Sequence, residues 1–310
     1  MAKFRSCAIE PALYLLKLKE TIAMDPHIDA LFAKLPKPSR RTLVKTSIGA
    51  GFCAAIAPVW AQVIKTPSTG LTAGEVHVMS GGFAVPAYRA MPDHGGPFPL
   101  VIVIHEIFGV HEYIQDVCRR WARLGYYAIA PDLFARAGDA AKITDFKVLM
   151  SSIVAKTPDA QVTADLDATF AFAKASGSAD MARAAVTGFC WGGRQAWLYA
   201  AHNPGLKAAA LWYGPLDPPK NATHPLNPPD VVAKLKVPVL GQYGGQDPSI
   251  TAANIADMEA KLKAAGDAYK IIVYPDAGHG FHADYRPTYN KADAAKSFEV
   301  AAQWLKAHGV

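Results

Sequence analysis

Residues 184–193 read Ala-Ala-Val-Thr-Gly-Phe-Cys-Trp-Gly-Gly, a short apolar run entering Gly188-x-Cys190-x-Gly192-Gly193. A helical pattern follows from Arg194. This is the layout of a sharp strand-to-helix turn that holds one reactive side chain clear of the backbone. The flanking glycines have a mechanical reason, because a Cβ on either side of such a turn would meet the adjoining strand or helix. The presented side chain is a cysteine, and a thiol ionises more easily than a hydroxyl and is the better nucleophile near neutral pH.

Working outward, the body of the chain alternates strand and helix. Glu75–Ser80 and Phe83–Ala90 flank Gly81-Gly82 and predict an antiparallel hairpin. Leu100–His105 is a continuous apolar run, expected of a strand buried on both faces. Helices are expected over 112–124, 141–155, 159–175, 194–201, 250–265 and 292–308, and strands over 126–130, 184–189, 208–212, 237–243 and 269–274. The order predicts one α/β domain over residues 62–310, three layers deep around a mostly parallel sheet. The Pro-rich stretch 214–229 follows a strand end and reads as a lid or rim.

The 310 residues carry a net charge of +6, but the charge is unevenly placed. Residues 1–61 hold nine basic and four acidic residues, and the rest holds 23 and 22. A nearly neutral body argues against a nucleic-acid partner. Within 1–61, Ser39-Arg40-Arg41-Thr42-Leu43-Val44-Lys45 looks like a twin-arginine signal, followed by the apolar stretch 46–61 and small residues before Gln62. The expectation is a leader read by the twin-arginine export machinery and a folded protein delivered to the periplasm or cell exterior. A start at Met24 in place of Met1 is an alternative, and the stretch is too short and too rich in Ala and Gly to span a bilayer well. Cys7 and Cys53 fall in the leader, so the body keeps Cys118, inside a helical pattern, and Cys190. No disulfide framework, cysteine zinc spacing, phosphate loop or dinucleotide fingerprint is present, and no metal or cofactor is expected.

Ligands of open α/β sheets bind beyond the carboxyl ends of the strands. Those ends carry Cys190, then Gly244-Gly245-Gln246-Asp247, then Pro275-Asp276-Ala277-Gly278-His279. Nucleophile, acid and histidine in that order match the triad of the α/β-hydrolase fold. His279 is expected to take and return the proton, and Asp247 to orient the imidazole. Asp276 is the rival acid. The strand over 100–105 ends in Glu106-Ile107-Phe108-Gly109, whose loop in this fold supplies one oxyanion amide, while the residue after the nucleophile supplies the other. That nominates the backbone amides of Ile107 and Trp191. His105-Glu106 is not followed by a second histidine at Gly109, so the zinc-protease helix motif is absent. Trp212, Tyr213, Phe281 and Tyr285 are expected to shape the pocket or the core beside it.

His105-Glu106-Ile107-Phe108-Gly109, Pro131-Asp132-Leu133-Phe134-Ala135-Arg136, Gly188-Phe189-Cys190-Trp191-Gly192-Gly193, Asp247 and Gly278-His279 together resemble the dienelactone hydrolase family, over roughly 72–310. The resemblance implies a cofactor-free Cys-His-Asp hydrolase acting on lactones or small esters, with carboxymethylenebutenolidase as reference activity. It implies that Glu106 interacts with the resting cysteine and is displaced by substrate, and that Arg136 contacts a substrate carboxylate. Reference members carry Ser after the histidine and a second carboxylate-binding Arg slightly later. Here the stretch is Gly280-Phe281-His282-Ala283-Asp284-Tyr285-Arg286, so Arg286 stands as a displaced substitute. A thioesterase or peptidase on the same triad, and a non-catalytic envelope protein keeping the fold, are the alternative readings.

Overall fold

Five consecutive side chains from Leu100 to Ile104 are wholly inaccessible to solvent, which requires cover on both faces of their strand. In the computed structural model, which describes residues 64–266 and 268–310, that strand lies inside an eight-stranded sheet. The strands are β1 (Leu71–Ser80), β2 (Phe83–Pro92), β3 (Phe98–Ile104), β4 (Tyr127–Pro131), β5 (Ala179–Phe189), β6 (Ala208–Trp212), β7 (Val239–Gly244) and β8 (Tyr269–Tyr274). The helices are α1 (Glu112–Arg123), α2 (Phe146–Ser152), α3 (Asp159–Ala175), α4 (Trp191–His202), α5 (Pro228–Val231), α6 (Ala252–Ala265) and α7 (Lys291–Ala307). The expected twin-arginine signal and leader over 1–61 lie outside the described residues. Among the described residues no helix is long and apolar enough to cross a membrane.

The sheet runs β1-β2-β4-β3-β5-β6-β7-β8. β1 and β2 are antiparallel, β2 meets β4 antiparallel, and all pairs from β4 to β8 are parallel. The hairpin closes Ser80 onto Phe83 through Gly81 and Gly82, both at positive φ. That is the two-residue turn whose backbone twist suits paired strands. Because β4 and β5 flank β3 on opposite sides, the winding reverses at β3, and the carboxyl ends of β3 and β5 open onto the crevice where such folds bind ligands.

One helix departs from expectation. The stretch 141–155 divides into a 3-10 turn at Ala140–Lys142, α2, and a second 3-10 turn at Val154–Lys156. Two aspartates cause the division. Asp139 accepts from the Ala141 amide (3.1 Å) and Asp145 from the Val148 amide (3.0 Å), each starting a new turn, with Ile143 extended between them. Short polar side chains compete in this way with the continuing helix ladder. The 214–229 stretch is irregular up to α5 and is a fastened rim. Arg194 on α4 grips Asp159 with two 2.8 Å hydrogen bonds and also donates to the Leu226 carbonyl, while the Asp159 amide donates to Thr223 O at 2.9 Å. Cys118 is fully buried in α1, where desolvation pushes its thiol up and keeps it inert.

Candidate active site

β5 ends at Phe189 and α4 begins at Trp191, so a single residue turns the chain. That residue is Cys190, at φ 53° and ψ −121°, a conformation that is costly for a residue bearing a Cβ. The glycines around it make the turn sterically feasible. A Cβ on Gly188 would stand 2.1 Å from the Gly192 carbonyl oxygen. One on Gly192 would stand 2.3 Å from His105 O, and one on Gly193 2.7 Å from Trp212 O. Bare backbone thus lets α4 press against the ends of β3, β5 and β6 together. The Cys190 amide donates to Trp212 O at 3.0 Å, and the side chain is held at the switch point with 9% of its surface exposed.

The histidine reaches the sulfur from the loop after β8, and the acid reaches the histidine from the loop after β7. His279 Nε2 lies 3.0 Å from Cys190 Sγ, and His279 Nδ1 lies 2.7 Å from Asp247 Oδ2. Gly244 and Gly245 bring the two loops together, since Cβ atoms there would sit 2.4 Å from Ala277 O and 2.7 Å from Pro275 O. Gly245 and Gln246 donate their amides to Tyr274 O (2.7 Å) and Ala277 O (2.9 Å), fastening one loop to the other. The second carboxylate oxygen of Asp247 accepts from the Ser249 amide (2.8 Å) and hydroxyl (2.6 Å). Burial alone would raise the Asp247 carboxyl, but the His279 charge and these hydrogen bonds outweigh it and hold it below the usual carboxylate range. Burial likewise disfavours a charged His279, yet Asp247 on one side and Cys190 on the other push it up to about 10. Asp276 is exposed and its side chain makes no hydrogen bond or ion pair among the described residues, so the carboxylate on the histidine is that of Asp247.

Glu106 is fully buried, and its place differs from the expectation that it would engage the resting cysteine. The Tyr285 hydroxyl donates to Oε2, and Arg286 Nη2 approaches Oε1 at 3.3 Å. A buried carboxylate needs a countercharge and donors, and these two neighbours supply them, so Cys190 faces His279. Arg286 lies over the rings of Phe108 (5.2 Å) and Tyr285 (5.5 Å). Its presence also explains Gly280. That glycine sits at φ 76°, and a Cβ on it would stand 2.6 Å from Arg286 Cδ. Gly280 and Arg286 are therefore sterically matched to one another.

Ile107 lies in the loop after β3, and Trp191 directly follows the cysteine. The Ile107 N–H has no acceptor among the described residues, and the Trp191 N–H opens α4, where first-turn amides lack an intrahelical acceptor. Tyr213 stands beside the His279 ring (centroids 5.1 Å apart) at φ 38°. Trp212 and Phe281 belong to the core. Trp212 is wholly buried and stacks on Phe189 at 4.6 Å, and Phe281 is wholly buried between Tyr213 and Tyr274. Arg136 is engaged away from the sulfur, paired with Asp165, donating to Ser80 O (2.8 Å) and lying over Phe83. One residue, Ser249, and one contact, that of Tyr285 with Glu106, escaped the sequence reading. Ser249 had a signal, because an aspartate often closes an Asx turn on the backbone amide two residues on and a hydroxyl there can add a second donor, but the Tyr285–Glu106 contact spans 179 residues and has none. Among the described residues no group of three or more His, Cys, Asp or Glu is arranged to hold a metal.

A model of the dienelactone hydrolase family matches residues 85–309. The chain belongs to the dienelactone hydrolase family. Its relatives include a Methylorubrum extorquens protein named "Putative carboxymethylenebutenolidase", 53% identical over 289 residues that cover 93% of this chain and 99% of that one. An Escherichia coli K12 protein of the same name is 48% identical, covering 85% and 97%. The crystal structure of a "Putative Dienelactone Hydrolase" from Klebsiella pneumoniae superposes with a TM-score of 0.75 at 47% identity, covering 76% of this chain and 98% of that one. This dienelactone hydrolase family member is thus an ester or lactone hydrolase with the α/β-hydrolase fold.

Proposed function

We propose that the chain cleaves small esters or lactones through a thioester acyl-enzyme on Cys190, without a cofactor. The observation that carries this is the continuous line Sγ–Nε2–Nδ1–Oδ2, at 3.0 and 2.7 Å, on a strained turn beside two amides without acceptors. Cys190 attacks the acyl carbon while His279 holds the proton. The Ile107 and Trp191 amides stabilise the oxyanion. His279 returns the proton to the leaving oxygen, then takes one from the water that opens the thioester, and Asp247 keeps the ring in its Nδ1–H tautomer throughout. Rapid mixing with 4-nitrophenyl acetate is expected to give a burst of about one nitrophenolate per protein. Mass spectrometry of the quenched protein should show an added acetyl group on the peptide containing Cys190. A burst whose acetyl group maps to another residue rejects the mechanism.

The electrostatics set the pH dependence. His279 titrates near 10 in the folded protein, above its ordinary value near 6.5, so its proton is present below pH 10 and lost as the pH rises through it. The alkaline limb of kcat/KM is expected near pH 10. Asp247→Asn removes the charge that raises His279, so in that variant the limb should move down toward neutral pH. Profiles corrected for spontaneous ester hydrolysis measure both; a wild-type limb near 7 contradicts the assignment. The same sign applies to folding. The stabilisation from the His279 partners is complete below about pH 6.5 and fades as the pH climbs through 10.

A further inference from the structure

His105 is wholly buried at the end of β3, one residue before Glu106 and two before Ile107. The activity described so far gives it no task. Its two ring nitrogens are both engaged. The Leu133 amide points at Nε2 from 3.0 Å, and Nδ1 lies 2.6 Å from the Glu106 carbonyl oxygen. An amide can only donate, so Nε2 must be the acceptor, and a neutral ring then carries its hydrogen on Nδ1 and donates it to Glu106 O. Burial holds the imidazole down, against a weaker opposing pull from Asp132, which is consistent with a neutral ring.

The Glu106 carbonyl and the Ile107 N–H belong to the same peptide plane. In a trans peptide the two point in opposite directions, so a donor that fixes the carbonyl fixes the direction of the amide. A hydrogen bond to the oxygen also polarises the unit and strengthens its N–H as a donor. On its other side the His105 ring stacks on the Trp191 indole, with centroids 5.5 Å apart and planes 17° from parallel. The edge of Phe134 meets it at 4.8 Å, and its own backbone carbonyl touches the place a Gly192 Cβ would occupy, at 2.3 Å. One buried side chain therefore contacts the peptide that bears one oxyanion amide and the residue that bears the other.

We propose that His105 is the positioning residue of the oxyanion hole, setting the direction of the Ile107 amide through the Glu106 carbonyl and seating Trp191 by ring contact. The inference rests on the assignment of those two amides to the oxyanion, and the test separates the two. Oxygen-to-sulfur replacement in the ester carbonyl weakens hydrogen bonding to the oxyanion, so the ratio of kcat/KM for 4-nitrophenyl acetate over its thiono analogue measures the hole. A wild-type ratio near one removes the amide assignment itself. A large wild-type ratio opens the test of His105.

His105→Phe keeps the ring and deletes the donor. It is expected to lower kcat for the oxygen ester by roughly 10- to 100-fold with little change in KM, and to pull the ratio toward one. Alkylation of Cys190 by iodoacetamide uses no oxyanion and should keep its wild-type rate. His105→Asn, whose side-chain amide can place a donor near Nδ1, should recover part of both kcat and the ratio. An undiminished ratio in His105→Phe overturns the proposal, as does equal loss of ester and thionoester turnover together with alkylation. If His105→Phe does not fold, 15N NMR of the wild-type ring decides. The Nδ1–H tautomer supports the hydrogen bond to Glu106, and a ring protonated on Nε2 excludes it.

Discussion

Cys190→Ala is expected to lower kcat/KM for 4-nitrophenyl acetate by about 10³-fold or more, in a protein that still folds. The loss corresponds to ~4 kcal/mol or more of transition-state stabilisation, and it follows from the absence of any substitute. His279 has Cys190 on one nitrogen and Asp247 on the other, so removing the sulfur leaves a base with nothing to activate except water. Glu106, a second buried carboxylate, is bound up by Tyr285 and Arg286. Residual activity measures what the two amides and binding contribute alone. The fold should survive with a modest loss of stability, because the hydrogen bond lost is the one to His279 and not one within the sheet. A variant that hydrolyses the ester at the wild-type rate would remove Cys190 from the chemistry.

Gly188→Ala is expected to have the largest structural effect of a methyl group added to any glycine among the described residues. The new carbon would be 2.1 Å from the Gly192 carbonyl oxygen and 2.6 Å from its carbon. Both are backbone atoms of α4, so no side chain can rotate away, and the helix must leave the end of β5. Forcing a methyl group into a filled site costs typically ~1–3 kcal/mol and more where backbone must shift; the upper end is expected here. For a domain of this size that lowers Tm by roughly 6–12 °C. Displacing the nucleophile by an ångström should also cost about 10²-fold in kcat. Gly74→Ala is the control, since Gly74 lies on β1 with nothing within 4 Å of the added carbon. Urea denaturation and ester turnover on the pair separate crowding at the turn from a general loss of glycine. Equal stability of the two variants contradicts the steric account.

Much of this was legible along the chain for one reason. Cys190 and Asp247 stand just past the buried strands β5 and β7, His279 follows the half-exposed edge strand β8, and the sheet gathers strand ends at one edge. The hairpin was legible because Gly81-Gly82 interrupts two alternating stretches. What stayed hidden depends on contacts without periodicity. The loop 280–290 has no repeat to show that Tyr285 and Arg286 turn back onto Glu106. Trp212 and Phe281 are aromatic residues near the site in sequence, but their rings face the packed interior, against Phe189 and Tyr274. Arg136 carries the right chemistry for a carboxylate, and Asp165, 29 residues away in α3, occupies it. The break in the 141–155 helix came from two aspartates whose preference for caps overrode a continuous helical composition.

The contact between Gly280 and Arg286 constrains the order in which this part of the molecule can change. With Cδ of Arg286 where a β-carbon would go, and with φ at 76°, a serine at 280 is blocked while the long side chain keeps its place. A lineage moving between the two arrangements must first shorten or redirect residue 286, which strips Glu106 of its countercharge, and only then fill residue 280. The two positions are expected to change together, and an engineer who wishes to alter one has to write both substitutions in the same step.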